Sequence, residues 1–142
     1  MLRAANAATR NGLTPYGCAP QGRNEDGQLG LGDETNRYRP TPIPGLPDPV
    51  AGGACGGSHS LLMTVAGELF GAGKNDKGQL GIGRVTADPV RSFAACKGNL
   101  VGKKVTGVAS GRDFAIACTA DGDVYSWGCV LEKKSLLFHF EN

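Results

Sequence analysis

Gly73–Gly83, GKNDKGQLGIG, decides how this chain is read, because Gly22–Gly32, GRNEDGQLGLG, repeats it residue type for residue type at most positions. Glycine stands at Gly22, Gly27, Gly30 and Gly32 and again at Gly73, Gly78, Gly81 and Gly83. Asparagine recurs as Asn24 and Asn75, and Gln28-Leu29 recurs as Gln79-Leu80. The copies lie 51 positions apart. A period of that size signals a repeat architecture, in which one supersecondary unit buries its apolar face only by stacking on the next.

A second recurrence has a similar spacing. ACGGSHSLLMTVAGELFGAG, Ala54–Gly73, aligns with ASGRDFAIACTADGDVYSWG, Ala109–Gly128, at an offset of 55. Each copy reads as a hairpin: strand His59–Thr64, turn Val65–Gly67 and strand Glu68–Ala72, then Phe114–Thr119, Ala120–Gly122 and Asp123–Trp127. Asp121-Gly122 is a strong signal for a tight hairpin turn, which needs positive φ. Val50–Ala54 and Lys104–Ala109 read as the strands that enter each unit. Between the units, residues 84–102 read as an irregular connection with one weak strand. Asp33–Pro49 carries five prolines and must run extended along the surface. The fold class is therefore all-β, with β-propeller-type blades of four-stranded antiparallel sheet.

Composition agrees. Of 142 residues, 23 are glycine, roughly twice average usage, which suits short strands joined by tight turns. The net charge of +2 comes from 15 basic and 13 acidic residues of interspersed sign. That is no footprint for nucleic acid or an anionic membrane. The five cysteines contain no C-x-x-C pair, so reduced thiols in a cytoplasmic or nuclear setting are expected, and no metal site. Arg3 and Arg10 precede the first acidic residue, Glu25, which weakly resembles a mitochondrial presequence.

The glycine loops invite a nucleotide-binding reading, and the residues refuse it. A P-loop before Gly73-Lys74 would need glycine at Glu68 and serine or threonine at Asn75. The dinucleotide pattern starting at Gly71 and Gly73 would need glycine at Asp76. Backbone geometry explains the glycines, with Asn24 and Asn75 bonding local backbone, Leu29 and Leu80 buried, and Gln28 and Gln79 reaching a neighbouring blade. His59 near Cys55 suggests a base and a nucleophile, yet their counterparts are Phe114 and Ser110, so core packing is expected. Trp127, the counterpart of Ala72, is expected to pack in its blade. His139 lies in a tail that departs from the repeat. No catalytic residue, cofactor or metal ligand is expected.

The paired patterns GRNEDGQLGLG / GKNDKGQLGIG and ACGGSHSLLMT…GELFGAG / ASGRDFAIACTADGDVYSWG resemble the regulator of chromosome condensation repeat family. The resemblance covers about Gly22 to Gly128 and implies blades of a seven-bladed propeller, of which this chain holds material for about two. Two repeats leave sheet faces and edges unburied, so a piece of a larger ring is expected. The resemblance also implies a protein-binding platform or a guanine-nucleotide exchange factor for a Ran-type small GTPase. The division that follows is a tail over 1–21, repeats over 22–128 and a divergent tail over 129–142. Arg37, Tyr38 and Arg39 in the proline-rich connection, with Lys74 and Lys77, are the first candidates for contact with a protein partner.

Overall fold

A computed structural model describes residues 21–129 as seven strands in two antiparallel sheets. The first sheet contains β1 (Val50–Cys55), β2 (His59–Thr64), β3 (Leu69–Gly73) and β4 (Val90–Ala95), paired in chain order. The second contains β5 (Val105–Ser110), β6 (Phe114–Thr119) and β7 (Val124–Gly128), again in chain order. The four-strand expectation thus holds for the first sheet, and the second has three strands among the described residues. The tails at residues 1–20 and 130–142, with His139 and the Arg-containing start, lie outside the described residues.

Both hairpins fall where the sequence puts them, with strand ends moved by one residue. Their turns are twins: Gly67 N–H donates to Thr64 C=O at 2.9 Å and Gly122 N–H to Thr119 C=O at 3.0 Å, each glycine at φ 88°. The entering strands are twins too, because both slip register one step in, between Val50 and Gly52 and between Val105 and Gly107. The weak strand within residues 84–102 is β4, followed by a 3-10 turn at Gly98–Leu100. Periodicity alone understates β4, since VRSFAA alternates poorly. It is fixed instead by pairing with β3 and by the loop at 22–32.

The two sheets pack face to face through Leu61 and Leu69 of the first and Val105, Ala115 and Ala117 of the second. Met63, Leu100 and Trp127 pack at the margin. Each buried leucine contributes about 1.5–3 kcal/mol of transfer free energy, and the facing alanines let the sheets approach closely. Burial records who has a neighbour: β2 is buried on both faces, whereas β6 buries only Ala115, Ala117 and Thr119. Ile116 on its far side is 40% exposed, although its counterpart Leu61 is fully buried.

Candidate functional site

The repeated glycine loops are two copies of one hydrogen-bonded knot. Asn24 is fully buried and its Oδ1 accepts the Leu29 N–H at 2.9 Å, while its Nδ2 donates to the Asp33 carbonyl at 2.8 Å. Asn75 does the same with Leu80 N–H at 3.2 Å and the Arg84 carbonyl at 2.8 Å. Successive turns follow, from Gly27 N–H to Asn24 C=O and Gly30 N–H to Gly27 C=O, and likewise from Gly78 to Asn75 and Gly81 to Gly78. Asparagine suits the place because one side chain both accepts and donates across a loop that cannot form a ladder. Leu29 and Leu80 are drawn inside, at 3% and 0% exposure.

The glutamines act differently from the expectation. Gln28 Oε1 accepts the Asp26 N–H and Gln79 Oε1 the Lys77 N–H, each at 2.9 Å. Gln79 Nε2 also donates to Asp76 Oδ1 at 3.0 Å, which holds the Asp76 carboxyl below its ordinary range. Among the described residues the amides close their own loops and make no bond to a neighbouring blade, because the tight turn brings residue i−2 within range first. Gly30 and Gly81 mark close approaches at positive φ: a Cβ at Gly30 would enter the Phe93 ring, and one at Gly81 would stand 2.8 Å from Trp127 Nε1. Gly22 pairs with Arg37 through two backbone bonds, Gly32 N–H donates to the Arg91 carbonyl, Gly73 ends β3, and Gly83 lies beside Lys97.

The candidate contact residues fall on separate loops. Arg37 Nη2 donates to Asp33 Oδ2 at 2.6 Å, and that bond first, then the Thr35 N–H, lowers the Asp33 pKa. Arg37 thereby braces the first knot. Tyr38 is 91% exposed and Arg39 is exposed beside it. Lys74 pairs with Asp76 at 3.4 Å, and Lys77 reaches Asp113 in the second sheet's β5–β6 turn at 3.0 Å.

His59 does not meet Cys55 as a base. Its Nε2 lies 2.7 Å from Ser110 Oγ, across the seam between the sheets, and its Nδ1 is buried without a partner. Burial lowers its pKa against the pull of Asp113. Sequence reasoning missed this link, since no spacing rule places the end of β5 against the start of β2. Trp127 is half-buried and donates from Nε1 to the Gln79 carbonyl at 3.0 Å, so it ties its blade to the preceding loop. Among the described residues, no group of three or more His, Cys, Asp or Glu side chains is placed to hold a metal ion, and no helix is long and apolar enough to cross a membrane.

Comparison with known proteins places this geometry. The chain matches the regulator of chromosome condensation (RCC1) repeat over residues 21–63, and a second form of the same repeat over 50–79 and 105–129. It is 41% identical to human protein RCC2 over 109 residues, 76% of this chain and 20% of that protein. It is 35% identical to the dog X-linked retinitis pigmentosa GTPase regulator, over 75% of this chain and 11% of that protein. Among solved structures, human WBSCR16 superposes with a TM-score of 0.72 at 30% identity, covering 81% of this chain and 30% of that one. Prp20p of Saccharomyces cerevisiae, described with its binding to Gsp1p and histones, superposes at 0.63 with 28% identity, covering 74% and 27%. The chain spans about a fifth or less of the curated relatives named here.

Proposed function

The chain belongs to the regulator of chromosome condensation repeat family, and we propose that it supplies propeller blades that contact other proteins and perform no chemistry of their own. The observation that carries this reading is how the loops use their polar side chains. Asn24, Gln28, Asn75 and Gln79 are all committed to their own backbone, in duplicate. A reaction centre needs polar groups aimed at a substrate, whereas a scaffold needs them turned inward. Tyr38 and Arg39, on an extended proline-rich loop, have the residue types that anchor protein interfaces. Arg37, Lys77, Arg91 and Lys103 are paired with acids, which breaks any basic stripe suited to nucleic acid.

The repeats then occupy 22–128, flanked by 1–21 and 129–142, and the free thiols fit a reducing setting such as the cytoplasm or nucleus. A photo-crosslinking side chain at exposed position 38 tests the reading. Protein adducts at 38 are expected; their absence would overturn it. The likeness to Prp20p, described with its binding to Gsp1p, favours one more specific reading, exchange of guanine nucleotide on a Ran-type GTPase. Release of a fluorescent nucleotide from such GTPases tests it, and no acceleration at any chain concentration would remove it.

A further inference from the structure

We propose that the seam between the two sheets opens at one end in acid, and that His59 is the residue whose proton uptake releases it. His59 starts β2, is 1% exposed, and sets Nε2 2.7 Å from Ser110 Oγ at the end of β5. Two further links join the sheets at this end. Gly57 N–H donates to the Arg112 carbonyl at 3.0 Å, and Lys77 meets Asp113 at 3.0 Å. At the opposite end Val105 N–H donates to the Gly67 carbonyl at 2.9 Å. No imidazole stands there, since His59 is the one histidine among the described residues.

The hydrogen-bond partners place the ring's proton. Ser110 Oγ lies 3.3 Å from the Gly111 carbonyl and 3.2 Å from the Phe114 carbonyl, which only accept, and a hydroxyl has one hydrogen to give. Given to Nε2, that hydrogen would force the ring's own proton onto Nδ1, a buried donor with no acceptor among the described residues. The favoured neutral ring therefore donates from Nε2 to Ser110, Ser110 donates to the Phe114 carbonyl, and Nδ1 keeps its lone pair. A second proton has to go to Nδ1. That atom faces Gly56, where a Cβ would collide with the ring. An imidazolium there gains no partner until water reaches it, so this end must part first.

The surrounding charges do not rescue the closed form. Burial holds the ring's pKa below its ordinary 6.5 against the pull of Asp113 on the β5–β6 turn. The Asp113 carboxylate is already shared by Lys77 at 3.0 Å and Arg112 at 3.8 Å. Arg112, whose stem lies over Gly57, carries the wrong sign, and Lys74 beyond β3 is paired with Asp76. β1 and β6 bring only the thiols of Cys55 and Cys118, and β3 and β5 bring no titratable side chain. Opening this end is thus linked to the uptake of one proton.

Amide hydrogen exchange on the full chain, corrected for the intrinsic effect of pH on exchange, tests this. Protection of the Gly57 amide relative to the Val105 amide should fall at least about threefold from about pH 7.5 to about pH 5, the linkage of one proton. In His59→Phe the ratio should not change with pH. Phenylalanine fits the place, because its counterpart Phe114 covers Gly111 as His59 covers Gly56. Nitrogen-15 shifts should find the His59 proton on Nε2 at about pH 7.5. A constant ratio in the parent chain, as when both ends open together, would overturn the proposal. So would an equal fall in His59→Phe, a proton found on Nδ1, or a Gly57 amide without protection at about pH 7.5.

Discussion

Replacing Asn75 by alanine should destabilise the chain by about 2 kcal/mol, most of it from one lost acceptor. Asn75 is 1% exposed, and its Oδ1 takes the N–H of Leu80, itself fully buried. With alanine that N–H has no partner and no water, a penalty of about 1–3 kcal/mol. The second lost bond, to the Arg84 carbonyl, costs less, because Arg84 is exposed and water can replace the amide. Urea unfolding followed by circular dichroism measures the sum. With a slope of roughly 2 kcal/mol/M, the midpoint should fall by about 1 M at unchanged slope. Thr86→Ala is the control, since it removes only an exposed hydroxyl bond to the Asp88 carbonyl and should stay within about 0.5 kcal/mol. If Asn75→Ala unfolds at the midpoint of Thr86→Ala, the asparagine does not hold the loop and the knot account is wrong.

Leu61→Ala, which empties the centre of the seam between the sheets, should cost about 2–5 kcal/mol in the same assay; a loss under about 1 kcal/mol would mean the sheets do not pack as described. Stability should fall with acid through His59: burial holds its folded pKa below 6.5, so its contribution is complete above 6.5 and is lost as pH drops below that value, where the unfolded chain takes the proton that the folded chain resists. His59→Phe should flatten the stability-versus-pH slope in that window, and an unchanged slope would assign the dependence elsewhere. Burial pushes the Cys96 thiol up to about 12, so a thiol reagent at pH 8 should leave Cys96 unlabelled in the native chain while exposed Cys55 and Cys118 react. Mass mapping that finds Cys96 labelled at the rate of exposed Cys55 would refute its partial burial against the core.

The repeat, its hairpins and the inward use of Asn24 and Asn75 were legible in the sequence, because each is a local matter. Turn glycines and asparagines act within a few residues, and a second copy shows the repeat without any contact being known. The expected reach of Gln28 and Gln79 to a neighbouring blade differs from what the described bonds show, since a backbone N–H two residues away takes each side-chain oxygen first. Only the tertiary structure decided the identity of β4, whose residues pattern weakly and are held by pairing to β3 and by the loop from the preceding copy. It alone brought His59 to Ser110, placed Leu61 against Ala115 and Ala117, and laid Trp127 over Gly81. Those contacts depend on how two sheets stack. Stacking is set by the summed shape and area of facing side chains, a quantity that no stretch of the chain carries by itself.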